Sequence, residues 1–407
     1  MAVHPRSPPR TVRPRSRRQS IADNPMANIQ VELCGLSFRT PIIPAAGPNV
    51  GNGEQLRRAA IAGAGGLLAK TVSRTAAPVP RPHMYKFGTG GMLNAELWSE
   101  LSCEQWLSTE YDSGIVAARE HGIPFIASLG YTADDLCELG PKIAAKGIAA
   151  IEFTVHYLDQ AAIIQTARAL RAAVSLPIIA KLSPHSGDLG ELAAALEPHV
   201  DAFACINSLG PTLSIDIESA EPVLGSKYGY GWLSGAPLKP LAVRCVFEVA
   251  RRVKKPVIGI GGICNGKDAI EMFMAGASLV GICTVVLYKG HRIYRTIAMQ
   301  VNQWLDEHGY TDIAEIIGCY VKKYGHGQRI VTEKEESPQV IPEKCIKCGQ
   351  CATVCCYDAV TAPVKQLAKI NSQLCVQCGL CVSVCPVAAL TFQARDKITR
   401  LPPVMLA

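Results

Sequence analysis

The sequence predicts an α/β chain, a (β/α)₈ TIM barrel followed by a small cysteine-rich module, and three observations carry that prediction. Short apolar runs rich in β-branched residues recur between residues 41 and 284, amphipathic stretches separate them, and two regular cysteine runs follow near the C-terminus. At 407 residues the chain exceeds the usual size of one domain, so one large domain and a smaller companion are expected.

The candidate strands are, in order, 42–46, 66–70, 125–129, 149–153, 178–181, 202–206, 257–260 and 279–283. Helical periodicity marks 53–63, 134–146, 160–174, 238–252 and 267–275 between them. Eight strands alternating with helices over roughly 250 residues is the arithmetic of a closed barrel rather than an open sheet. The barrel domain is therefore drawn over 26–310, with 288–307 as a closing helix. Residues 311–342 read as a linker, with charges at 333–336; 343–392 is the cysteine module and 393–407 a C-terminal tail.

Hydrophobic residues make up 48% of the chain and charged ones 18%, enough for a buried core. No apolar run reaches the roughly 18 residues needed to cross a bilayer, and no signal peptide is legible, so a soluble, cytoplasmic protein is expected, with no membrane partner. The net charge of +7 is concentrated, because Arg6, Arg10, Arg13, Arg15, Arg17 and Arg18 all fall in the first 20 residues. The remainder is nearly neutral, which argues against nucleic acid as a partner. Residues 1–25, rich in Arg, Pro and Ser, read as a disordered tail or an over-called start, with Met26 as the first residue. Of 17 cysteines, eight lie in the two regular runs; others, such as Cys205 and Cys283, sit singly in apolar surroundings as reduced core residues.

Cys345, Cys348, Cys351 and Cys355 are spaced C-x₂-C-x₂-C-x₃-C, and Cys375, Cys378, Cys381 and Cys385 repeat the spacing before Pro386. Three thiolates at this spacing wrap one face of a cubane cluster, and the fourth reaches the other cluster. Cys345, Cys348, Cys351 and Cys385 are thus assigned to one [4Fe–4S] cluster, and Cys375, Cys378, Cys381 and Cys355 to a second. Zinc prefers paired C-x₂-C and is a poor match to two such quartets. Cys356, where proline is usual, reads as a bystander. Such paired clusters conduct electrons, so the terminal redox site belongs in the barrel.

In a barrel, that chemistry sits on loops leaving the C-terminal strand ends. A flavin mononucleotide there needs backbone N–H groups around its phosphate, and Ser234-Gly235, Gly261-Gly262 and Cys283-Thr284 supply suitable turns. Lys181 and Lys70 are the cations able to stabilise negative charge on a reduced flavin.

Met92 to Ser99, Ala180-Lys181-Leu182-Ser183-Pro184, Cys205-Ile206-Asn207-Ser208, 231–240 and 259–263 carry a resemblance. Together they resemble, in order, the dihydroorotate dehydrogenase-like flavoproteins, and within these the dihydropyrimidine dehydrogenase branch. The trailing module is similar to that of the catalytic subunit, with FMN and two [4Fe–4S] clusters, of the bacterial two-subunit NAD-dependent form. The resemblance runs from about residue 28 to 288. It implies that Ala46, Gly47, Lys70, Thr71, Lys181, Ser234, Gly235, Gly261, Gly262, Cys283 and Thr284 contact FMN. It also implies that Asn94, Asn207 and Ser208 hydrogen-bond the amide edges of a substrate, a task suited to side chains offering both donor and acceptor.

One stretch departs from the pattern. Reducing a C=C bond takes a hydride from one face and a proton from the other, and the family supplies a cysteine or serine in Asn-x-Ser-Cys-Pro after the fourth strand. Here Glu152-Phe153-Thr154-Val155-His156 stands in that place, with Glu152 expected at the substrate where an asparagine is usual. Three explanations stay open: His156 or Tyr157 transfers the proton, the substrate is bulkier or needs no proton from this loop, or the barrel only relays electrons.

The expected activity is that of an FMN and iron–sulfur oxidoreductase of the EC 1.3 class, reducing a C=C bond of a pyrimidine-like cyclic amide or running in reverse. Dihydroorotate as substrate, a different unsaturated substrate and a pure electron-transfer subunit are the alternatives. No G-x-G-x-x-G follows a strand, so a separate FAD/NAD(P)H-oxidising subunit or other donor is the expected partner, in a hetero-oligomer or homodimer.

Overall fold

The computed structural model describes residues 26–154, 158–326, 330–331, 337–392 and 399–400. The expected tail 1–25, the charge run 333–336, His156, Tyr157 and nearly all of 393–407 lie outside the described residues. The chain divides into two compact units, 1–323 and 324–407.

Among the described residues of the first unit, eight parallel strands surround one core: β1 Ile42–Pro44, β2 Leu67–Leu68, β3 Phe125–Leu129, β4 Ala150–Thr154, β5 Ile178–Leu182, β6 Ala202–Cys205, β7 Val257–Ile260 and β8 Ala277–Ile282. They pair in the order β1-β8-β7-β6-β5-β4-β3-β2, every pair parallel. The remaining seam, between β1 and β2, is drawn together where Gly65 N donates to Ile42 O at 2.8 Å. A Cβ on Gly65 would run into the Thr40 carbonyl oxygen, so the seam requires glycine. This is the TIM barrel the sequence predicted.

The helices of eight residues or more among the described residues are α1 Gly53–Ile61, α2 Tyr111–His121, α3 Ala133–Ala145, α4 Gln160–Ala173, α5 Leu189–Leu196, α6 Lys239–Ala250, α7 Gly266–Met274 and α8 Ile293–His308. Their starts are written in the sequence. Asn52, Thr132, Asp159, Asp188 and Asn265 each accept backbone N–H bonds of the first turn, satisfying donors that have no partner inside the helix. Each cap fixes where a strand-end loop stops, and hence how long the loop is at the mouth.

The two barrel ends are closed differently. A hairpin of Val31–Leu33 and Leu36–Phe38 lies at the N-terminal end, where Cys34 Sγ donates to the Asp201 carbonyl at 3.4 Å, just before β6. Over the C-terminal end lies a four-stranded antiparallel sheet in the order Leu209–Thr212, Gly231–Gly235, Gly91–Asn94, Met84–Phe87. It is made from the excursions after β2 and β6, and the barrel-period reading of the sequence did not foresee it. Its inner strands bring Asn94, Ser234 and Gly235 to the mouth.

The expected linker 311–342 needs correction at both ends. Ile313 and Ile316 are buried in the barrel core, and Asn28 N donates to Thr311 O at 2.8 Å, so this stretch folds with the barrel. At the far end Gln339–Val340 already pairs with Leu390–Thr391 inside the second unit. Among the described residues, no helix is long and apolar enough to cross a membrane.

The second unit repeats itself every 30 residues. Helix Gln350–Thr353 answers to Leu380–Ser383, strand Val360–Thr361 to Leu390–Thr391, and Gln339–Val340 to Lys369–Ile370. Even the left-handed backbone recurs, at Lys347 (φ 59°) and Gln377 (φ 60°) between the first two cysteines of each run.

Candidate active site

The C-terminal mouth opens into a cavity of about 760 Å³, well within the range of small-molecule and cofactor sites. Two kinds of wall enclose it. After β7, β8 and the strand Gly231–Gly235 the wall is backbone: Gly235 (φ 81°), Gly261 (φ 121°) and Gly262 (φ 75°) all lie in the left-handed region that L side chains avoid. A Cβ on Gly262 would sit 2.6 Å from Lys239 N, and one on Gly47 would sit 2.5 Å from Cys283 Sγ. Side chains are excluded here, leaving N–H groups free to approach a ligand. Thr284 Oγ1 donates to Ser234 Oγ at 3.0 Å and ties the two segments together.

The opposite wall carries the charges. Lys70, Arg74 and Lys181 are the lysines and arginines lining the cavity among the described residues, and each faces a carboxylate. Lys70 is paired with Glu96, whose other oxygen lies 3.0 Å from His83 Nε2. Arg74 is paired with Asp135, whose carboxyl burial tends to raise but hydrogen bonds from the Thr132 side chain, Arg74 and the backbone N–H groups of Thr132 and Tyr131 hold below its usual range. Lys181 Nζ lies 3.8 Å from Glu152 Oε1. Cys283 is shielded from water, which pushes its thiol up to about 11; it is a neutral wall rather than a nucleophile.

Asn94 and Asn207 complete the wall. Asn94 Nδ2 donates to Trp232 O at 3.0 Å and its Oδ1 accepts from Glu96 N at 3.3 Å. Asn207 Oδ1 accepts from Ser208 N at 2.9 Å, and its Nδ2 reaches Thr154 Oγ1 at 3.5 Å. Each amide keeps one N–H and one lone pair for a ligand.

The cavity wall thus contains Ala46, Gly47, Lys70, Thr71, Lys181, Ser234, Gly235, Gly261, Gly262, Cys283 and Thr284 together with Asn94, Asn207 and Ser208. Glu152 is the exception and corrects the sequence reading. It is 0% exposed and does not line the cavity. Strand side chains alternate between faces, so Glu152 and Thr154 share the inward face of β4, and Thr154 is the one that reaches the wall. Glu152 lies behind it: Ser128 Oγ donates to Oε1 at 3.1 Å, and burial raises its carboxyl above the ordinary range. A carboxylate so placed cannot repel a substrate directly. Glu96, which does line the cavity, was passed over in the sequence because nothing there tells an inward-facing acid from a solvated one.

The second unit holds two small voids. One is lined by Cys345, Cys348, Cys351 and Cys385, the other by Cys355, Cys375, Cys378 and Cys381, the exchange of fourth cysteines expected from their spacing. Cys356 is exposed and faces neither. The backbone N–H of Tyr357, aided by those of Ala359 and Val360, holds the Cys355 thiol below its usual range.

The family model for dihydroorotate dehydrogenase matches residues 28–305. The chain belongs to the dihydroorotate dehydrogenase family. Members of this family are FMN-binding oxidoreductases acting on CH–CH bonds, and the glycine-built wall, with no room for a side chain, fits such a cofactor. A 4Fe-4S dicluster model matches 339–392, outside the barrel match. Among curated relatives, the dihydroorotate dehydrogenase B (NAD(+)) catalytic subunit of Trichlorobacter lovleyi is 34% identical, over 72% of this chain and 98% of its own. Those of Pyrococcus furiosus (33%; 72% and 99%) and Thermoplasma volcanium (31%; 73% and 100%) are similar. Such relatives are nearly used up by less than three quarters of this family member, which is the longer chain.

Proposed function

We propose that the protein reduces the C=C bond of an uncharged, pyrimidine-like cyclic amide, or oxidises its dihydro form, using FMN in the barrel and two [4Fe–4S] clusters in the C-terminal unit. The pairing of Lys70 with Glu96 carries this reading. A dihydroorotate carboxylate needs an available cation, and the cavity's lysines and arginine each already face an acid; a neutral ring needs only the donors and acceptors of Asn94 and Asn207. Bound FMN would supply hydride transfer. Gly235, Gly261 and Gly262 would hold its phosphate, Lys181 would face the ring edge that becomes negative, and Lys70 and Thr71 would flank it.

The proton falls to His156, with Tyr157 beside it. Thr154 and Leu158 both line the cavity. In the sequence His156 stands two residues from each of them. Electrons would enter through the clusters from a separate FAD/NAD(P)H-oxidising subunit, because the chain has no dinucleotide-binding glycine turn. The cluster unit is consistent with this, lying outside the barrel match shared with the family.

Dihydroorotate is the second reading, favoured by the names of the relatives. One anaerobic experiment separates the two. The flavin is reduced with dithionite, and uracil, thymine and orotate are added in turn. Reoxidation by uracil or thymine that is lost in His156→Ala supports the proposal; reoxidation by orotate alone replaces it with the second reading; none by any sinks both.

A further inference from the structure

Glu152 is fully buried, and no contact assigned above to substrate or cofactor uses it. Ser128 Oγ bonds Oε1, while Oε2 has no hydrogen-bond partner among the described residues. A buried carboxylate with an empty oxygen is costly unless it is neutral or opposed by a cation. That cation is Lys181, on the neighbouring strand β5; the other neighbour, β3, presents the uncharged Ser128. Lys181 also lines the cavity, so one ammonium stands between Glu152 and the cavity. Hydroxyls connect the two levels: Thr71, on the cavity wall, lies 2.9 Å from Ser128 Oγ, which donates to Glu152.

We propose that Glu152 is a redox-linked proton site, a carboxylate while the flavin beside Lys181 is oxidised and a carboxylic acid once the flavin is reduced. Electrons pass from the external reductant to the flavin, and a proton from solvent forms an O–H bond on Glu152; no substrate bond is made or broken. Lys181 turns from the carboxylate to the new negative charge, and protonation removes the charge left behind. The Ser128 hydroxyl serves both states, donating to the carboxylate and able to accept from the acid. Glu152 is a positioning residue that sets the field at Lys181. The proposal rests on the reading that the cavity holds a flavin and is independent of the substrate.

The test uses the holoprotein without substrate: flavin midpoint potential measured from pH 5 to 9, and infrared difference spectra on electrochemical reduction. Wild type should show a break in the potential–pH line and gain a carboxylic C=O band on reduction. Glu152→Gln, close in shape and unable to titrate, should lose both. Ser128→Ala removes a bond that favours the ionised carboxylate and should move the break to higher pH, which carries the test if Glu152→Gln does not fold. Lines and bands unchanged by either variant overturn the proposal. Flavin and clusters present with no response to uracil or thymine would break the substrate reading and leave this one standing.

Discussion

On the side of the cavity formed after β7, β8 and the strand Gly231–Gly235, shape is set by glycines whose backbone no other residue adopts comfortably, and contacts fall to N–H groups. On the side formed by β2, β4 and β6, shape is set by side chains, Lys70 against Glu96 and Asn207 near Thr154, and contacts fall to whatever residue stands there. The first wall tolerates almost no substitution and suits a cofactor common to a family. The second can change one side chain at a time, which is how a substrate is exchanged while the cofactor stays.

The comparison breaks most visibly at Gly235. A Cβ there would meet the Gly90 carbonyl oxygen in a left-handed conformation, and relieving the clash would push the strand from the wall. Gly235→Val should weaken FMN binding by roughly two orders of magnitude, about 3 kcal/mol, while leaving iron content unchanged. Flavin and iron assays on the purified variant check this, and full flavin occupancy would remove the backbone wall from the cofactor site.

Glu96→Gln sharpens the other half. It leaves Lys70 without its carboxylate, so an orotate carboxylate gains a cation, and its affinity should rise about tenfold, or 1.4 kcal/mol, while uracil gains nothing. Titration of the oxidised flavin spectrum with each ligand reads the ratio. If the order of affinities does not move, the charge pairing of the wall does not select the substrate.

The same contrast explains what was legible beforehand. The strands showed because parallel strands buried on both faces are continuous apolar runs, and Phe125–Leu129 and Val257–Ile260 emerged with the expected bounds. The helix starts at Gly53 and Gln160 showed through amphipathic periodicity, whereas the eight-residue helix Leu189–Leu196, capped by Asp188, was too short to stand out. The cysteine quartets showed because spacing alone assigns them to two sets. The antiparallel sheet over the mouth did not, because its central pairing, Gly231–Gly235 with Gly91–Asn94, joins segments more than a hundred residues apart and Gly91–Asn94 has no alternation to betray it. Glu152 was misjudged for a related reason: which of the inward-facing residues Glu152 and Thr154 meets the cavity depends on where the strand ends relative to the mouth, and a register of two residues is invisible to pattern. Glu96 carries no local signal, since its partners Lys70 and His83 are chosen by the fold.

The smallest effect expected is on stability. Burial raises Glu152 above its unfolded value, with Lys181 and Ser128 pulling the other way. A carboxyl whose native titration is raised binds its proton more tightly when folded. Its contribution is therefore fully present below the unfolded titration and lost as pH rises through the native one. In flavin-free protein, wild type should lose stability relative to Glu152→Gln by no more than about 1.4 kcal/mol per pH unit across that window, and not at all below it. Thermal unfolding of the two proteins from pH 4 to 9 gives the difference, a gap in Tm of a few degrees that opens upward in pH. A gap that opens downward would mean that Lys181 outweighs burial and holds Glu152 below its unfolded titration, and the acid form would then lie too low in pH to be reached when the flavin is reduced.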